Sequence, residues 1–166
     1  NPTAQLLDSG NLVVKDGNDN NLENFLWQSF DYPCNTLIPG MKMGKNFVTG
    51  QDRFLTSWKS TEDPAKGEFS LRIDTHGLPQ LVSMRGDKIK NRAGSWNGVG
   101  YTGRPALIPN PVYESKFVLN ENEVYYQFRL VNSSVFSRLV FNPSGTEDAS
   151  RGWIGHTVGS SLLHPR

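Results

Sequence analysis

Turn signals set the rhythm of this chain. Clusters of Gly, Pro, Asn, Asp and Ser fall at residues 8–11, 16–21, 39–40, 61–67, 75–77, 85–87, 132–134 and 142–145. Over much of the length they recur about every 8–12 residues, a spacing that accommodates strands and cuts off helices of ordinary length. Two stretches show which strands these are. Phe69, Leu71 and Ile73 alternate with Glu68, Ser70, Arg72 and Asp74, and Val124, Tyr126, Phe128 and Leu130 alternate with Tyr125, Gln127 and Arg129. A period of two with one apolar side describes a half-buried strand with one wet face. No segment carries an i, i+3, i+4, i+7 stripe. With 16 Gly and 10 Pro and a hydrophobic share of 36%, the composition suits a turn-rich protein, and the expected class is all-β.

Residues 4–16 read as a hairpin, with Asp8-Ser9-Gly10-Asn11 as the turn and Leu12-Val13-Val14 as the returning strand. Residues 54–58 form the first strand after residue 45. The run from 26 to 44 organises what lies between. Trp27, Phe30 and Tyr32 are large rings with polar or apolar tips that anchor one layer on another. Pro33 holds Tyr32 extended. Pro39-Gly40 reads as a type II turn, and Met41 and Met43 alternate around Lys42 as a new strand begins. These residues are expected to make a buried corner joining two β units. Residues 94–112 are expected to form a long connection pinned by Trp96 and Tyr101, and residues 147–166 show neither alternation nor an apolar helical face.

The net charge of +1 gives no field for nucleic acid or a membrane surface. No apolar run is long enough to span a bilayer, and the start lacks the charged-then-apolar pattern of a secretion signal. Gly98-Val99-Gly100-Tyr101-Thr102-Gly103 spells G-x-G-x-x-G, but Arg104-Pro105 and Pro109 forbid the helix that a dinucleotide needs. His76, His156 and His164 lack metal-ligand spacing, and no nucleophile elbow surrounds Ser95. No cofactor is expected, and no catalysis. The basic run Lys88-Ile89-Lys90-Asn91-Arg92 is either the solvated face of a hairpin or a contact for an acidic partner. Asn132-Ser133-Ser134 is an N-glycosylation sequon on a turn between strands. Cys34, the one cysteine, is either a small half-buried apolar side chain or half of a bond to a segment outside the chain.

The run Leu26-Trp27-Gln28-Ser29-Phe30-Asp31-Tyr32-Pro33, continued through Pro39-Gly40-Met41-Lys42-Met43-Gly44, resembles the signature of plant S-locus glycoproteins and of the ectodomains of S-locus-type (G-type lectin) receptor-like kinases. The resemblance continues at 55–60, 63–64, 77–81, 96–98, 109–111, 123–126, 130–134 and 142–146, in order, and covers residues 4–146. It implies β-prism pieces of bulb-type-lectin kind in two consecutive units. Residues 1–45 would end a lectin domain, 46–146 would be the S-locus glycoprotein domain, and 147–166 an aberrant or disordered tail. It also implies an extracellular or plasma-membrane ectodomain, glycosylated at Asn132, that recognises pollen-type signals in self-incompatibility. The partners so implied are a small secreted cysteine-rich peptide or a cell-surface protein, a second copy of the chain, or a glycan.

A mannose-binding lectin is the first alternative. Its Q-x-D-x-N-x-V-x-Y pattern, aligned on Asn11 and Val13, puts Leu7, Ser9 and Lys15 where Gln, Asp and Tyr belong, so the sugar-bonding set is mostly missing. A truncated, non-functional remnant is the second. The receptor kinase signatures are absent from these residues, so any kinase would lie elsewhere.

Overall fold

The computed structural model describes residues 1–19, 21, 24–104, 112–132, 134–153 and 156–161. Among them there are strands, turns and a single 3-10 turn at Ser29–Asp31, and no α-helix. The first 28 residues make a three-stranded antiparallel sheet. β1 (Pro2–Leu6) pairs with β2 (Leu12–Asp16), and β2 with the two-residue β3 (Trp27–Gln28). Gly10 closes the hairpin at φ +85, where a side chain would be strained.

The described residues after these build a three-sided prism. One sheet is local: β7 (Leu55–Trp58), β8 (Lys66–Asp74), β9 (Gln80–Arg85) and β10 (Lys88–Ser95) follow one another as a meander. The other two are closed by segments far apart in sequence. β5 (Met43–Asn46) and β6 (Asp52–Arg53) extend the hairpin of β11 (Tyr113–Leu119) and β12 (Glu123–Leu130). β4 (Thr36–Leu37) pairs with β13 (Val135–Phe141), which continues into β14 (Glu147–Trp153) and β15 (His156–Ser161).

All three sheets fill one core. Leu55, Leu71, Leu81 and Ala93 enter from the meander, Met43 and Phe128 from the second sheet, and Leu37 and Phe141 from the third. Each of these side chains loses nearly all its contact with water, which stabilises the fold by about 1.5–3 kcal/mol for each large one. The alternation expected over 69–73 is present: Leu71 and Ile73 are buried while Arg72 and Asp74 are half-exposed. β12 buries Val124 and Phe128 as its pattern requires. Tyr125, on the opposite face, is buried as well. The Lys42 ammonium sits 4.2 Å over its ring and is held there by Glu123 at 2.9 Å.

One expectation needs correction. The corner is not a buried joint: Trp27, Tyr32 and Cys34 are exposed, and Phe30 alone of its rings packs on the core. Trp27 stands on β3, an edge strand, and its ring stacks on Tyr32 at 5.7 Å and 11°. Of the tail, residues 147–153 and 156–161 are described, and both stretches are extended. Its residues pair by backbone hydrogen bonds from Glu147 opposite Phe141 to Trp153 opposite Val135. A ladder of backbone bonds needs no side-chain alternation, so the composition gave no sign of it.

Candidate recognition site

Asn11 and Val13, the two positions that match the mannose pattern, are 5% and 0% exposed. The Asn11 amide nitrogen donates to Gln28 Oε1 at 2.9 Å, and its Oδ1 accepts from Ser29 Oγ at 3.1 Å and from the Phe30 amide at 3.2 Å. Every polar atom of that side chain is already bonded within the protein. Leu7 and Ser9 lie in the hairpin turn, and Lys15 donates to Gln5 at 2.9 Å.

The corner owes its polar residues to the same network. Gln28 passes the contact from Asn11 to Asp31 at 3.2 Å, and Asp31 accepts from Arg53 on β6 at 2.7 Å. Gln51 donates to the Asp31 carbonyl at 3.4 Å. A chain of four side chains thus ties the N-terminal sheet to the prism, beside the contact of Phe30 with the prism core. Pro39-Gly40 turns as expected. The Met41 amide bonds the Ile38 carbonyl at 3.1 Å, Gly40 has φ +89, and its amide bonds the Phe128 carbonyl at 2.9 Å. Pro33 follows the exposed Tyr32. At the next two residues, backbone bonds from Thr56 to Cys34 and from Phe141 to Asn35 seat the strand entry between two sheets.

Asn132 is exposed on the turn between β12 and β13, and its Oδ1 accepts from the Ser134 amide at 2.9 Å. Ser133 lies outside the described residues. The glycine run 98–103 closes a short loop, with Trp96 bridged to Tyr101 and the Asn97 side chain accepting from the Val99 and Gly100 amides. Residues 105–111, with Pro105 and Pro109, are outside the described set. Trp96, Tyr101, Phe117 and Tyr126 interlock as an aromatic cluster. Burial pushes the Tyr101 hydroxyl well above the ordinary phenol value and raises that of Tyr126. Nearby, Arg104 grips Glu147 of β14 with both nitrogens. Burial favours loss of the guanidinium proton, and the bond and charge of Glu147 outweigh it.

The run 88–92 is exposed along its length on β10, an edge strand, and Arg92 reaches Asp74 at 3.3 Å. That is the solvated-face reading. His76 is bonded to Asp74 at 2.7 Å, and this bond, with the His76 amide and Arg92, holds the Asp74 carboxyl below its ordinary value. His156 lies on β15 and His164 outside the described residues. No group of three metal-ligating side chains occurs among the described residues.

The surface also carries a groove that sequence reading passed over. It has a volume of about 510 Å³ and runs over β7 and β8 to the β9–β10 turn. Arg72 stacks on Phe54 at 4.0 Å and Arg85 lies over Phe69 at 5.6 Å. The hydrogen-bonding side chains Thr56 and Ser70 line it between them. Its clue was the wet face of the 68–74 alternation, which cannot show that aromatic and guanidinium groups from separate strands meet there.

Comparison with known proteins agrees with this geometry. A family model described as D-mannose binding lectin matches residues 1–59, and an S-locus glycoprotein domain model matches residues 91–158. The chain is 45% identical over 142 residues to the S-locus-specific glycoprotein BS29-2 of Brassica oleracea var. alboglabra, covering 86% of this chain and 33% of the relative. It is 41% identical to the receptor-like serine/threonine-protein kinase SD1-8 of Arabidopsis thaliana, and 39% to the G-type lectin S-receptor-like kinase SRK of the same plant. In each it covers 86% of this chain and 17% of the relative.

The class is therefore an all-β chain, similar over residues 1–59 to a mannose-binding lectin domain and over residues 91–158 to an S-locus glycoprotein domain. The chain is similar to part of S-locus glycoproteins and of S-receptor-like kinases. It spans about a third of the length of the glycoproteins and about a sixth of the kinases. The aligned region is ectodomain, and no kinase domain lies in this chain.

Proposed function

We propose that this chain is the extracellular recognition module of a plant S-locus-type receptor or secreted glycoprotein, binding a peptide or protein ligand and performing no reaction. The observation that carries this over the lectin reading is the state of Asn11, whose amide is buried and fully bonded to Gln28, Ser29 and Phe30. A sugar would have to break those bonds to reach it. Small cysteine-rich peptides of the kind the family resemblance implies are the first ligands to try, and a role in self-incompatibility is part of the same reading. Asn132, exposed on its turn, is the proposed glycan acceptor. Sheet membership supports drawing the second unit as residues 36–161, because β4 and β5 pair with β13 and β12.

The test is to secrete the chain from plant cells and present it to secreted cysteine-rich peptides and to an oligomannose array. Peptide binding without a mannose signal supports the reading; mannose binding without any peptide overturns it. Deglycosylation should lower the mass of the secreted chain and leave an Asn132→Gln variant unchanged.

A further inference from the structure

The sheet that holds β5 and β12 ends on β11, and no described strand pairs with the far side of that strand. An unpaired edge is a place where another strand can add. β10, the edge of the meander, is defended against this: it carries Lys88, Lys90 and Arg92, and two register shifts break its pairing with β9. β11 has neither device. Its seven residues pair with β12 without a shift, from Tyr113 opposite Leu130 to Leu119 opposite Val124. The ladder also fixes which backbone groups face outward. The Val131 amide bonds the Val112 carbonyl, and the Asn120 amide bonds the Glu123 carbonyl. Even-numbered residues of β11 therefore bond β12, while Ser115 and Phe117 turn their N–H and C=O groups to the open edge.

The side chains of this edge say what could add to it. Tyr113, Ser115 and Phe117 lie on the half-buried face, the two rings against the prism core, and Glu114 and Lys116 lie on the exposed face. Tyr113-Glu114-Ser115-Lys116-Phe117 thus reads ring, acid, hydroxyl, base, ring. Laid antiparallel on itself with Ser115 opposite Ser115, it sets each Glu114 opposite a Lys116 and each Tyr113 opposite a Phe117. Cross-strand pairs of both kinds are stabilising. Slipping by two residues sets Glu114 against Glu114 or Lys116 against Lys116, and slipping by one turns the exposed face onto the half-buried one. Lys116 makes no ion pair among the described residues. Glu114 is bonded to Arg129 at 2.7 Å, with both side chains largely exposed, and a carboxylate has room for a second cation.

We propose that two copies of this chain associate through β11, antiparallel about a two-fold axis at Ser115, joining their four-stranded sheets edge to edge. The association goes beyond the recognition reading above and does not depend on which ligand the chain binds.

Sedimentation equilibrium of the full chain over a concentration series reads the association. The contact is small, so the mass should rise gradually with concentration from one chain toward two. Glu114→Lys and Lys116→Glu each set like charges opposite one another twice, and each should raise the dissociation constant about tenfold. An equimolar mixture of the two variants sets every acid opposite a base again and should associate as the unaltered chain does. That recovery also shows that both variants fold. Lys90→Glu on β10 should leave the association unchanged. Hydrogen exchange of the unaltered chain needs no variant: the Ser115 and Phe117 amides should slow as concentration rises. A single-chain mass at every concentration, a mixture no better than its components, loss in Lys90→Glu, or slowing confined to another edge would overturn the proposal. So would equal association of all the variants, since the contact would then lie elsewhere, as on the exposed Leu6, Leu12 and Trp27 of the N-terminal sheet.

Discussion

At the scale of single residues, polar side chains explain more of this molecule than the rings that dominate its sequence. Asn11 is the clearest case. Replacing it with Ala removes three hydrogen bonds and strands the Gln28 and Ser29 side chains beneath the sheet, and should cost about 2–3 kcal/mol in urea unfolding. Asp74 gives a pH-dependent counterpart. Bonds from the His76 side chain, the His76 amide and Arg92 hold its carboxyl below the ordinary value of 3.8. A depressed folded-state value means that the unfolded chain takes up the proton first. The contribution of Asp74 is therefore complete above that ordinary value and is lost as pH falls through the folded one. Asp74→Asn should lower stability near neutral pH and flatten its dependence on pH in the acid range, as followed by thermal melts. Little of this was legible beforehand. Asn11 and Asp31 find their partners 17 to 22 positions away, through side-chain bonds that leave no periodic trace, whereas the one-sided strand at Phe69, Leu71 and Ile73 announces itself by alternation.

Among the elements, β5 matters beyond its four residues, because it carries the early chain into a sheet built from the late chain. Gly44 allows that approach. A Cβ there would lie 2.1 Å from the Val124 carbonyl oxygen and 2.6 Å from the Tyr125 Cα, and φ is +149. Gly44→Ala should cost about 3 kcal/mol or more through strain and backbone displacement. Gly50→Ala, at φ +76 with open space around it, should cost about 1 kcal/mol. If both variants melt alike, the β5–β12 pairing is not as described. The pairing of β4 with β13 and of β5 with β12 was illegible for the same reason that it matters: strand partners so distant share no local signal. The tail belongs to this scale as well. Removing residues 147–161 uncovers the edge of β13 and leaves Arg104 without Glu147. The shortened chain should aggregate at concentrations where the full chain stays dispersed, as light scattering would report.

For the whole molecule, a three-stranded N-terminal sheet is tied by side-chain hydrogen bonds to a three-sided prism of sheets that share one core. The Asp31–Arg53 ion pair, both side chains mostly buried, sits at the joint. Asp31→Ala should loosen the N-terminal sheet, so that limited proteolysis cuts near residues 32–35 sooner while the prism resists. The class of fold was open to reading from turn spacing and alternation. The prism was not, because its closure depends on which strand meets which. The central claim is that one core joins all three of its sheets, and native-state hydrogen exchange tests it most directly. Amides of β5, β8, β12 and β13 should share one opening free energy and lose it together when Phe141 is cut back to Ala. If β7–β10 instead keep their protection while β5, β12 and β13 exchange freely, the meander stands alone and no prism encloses a common core.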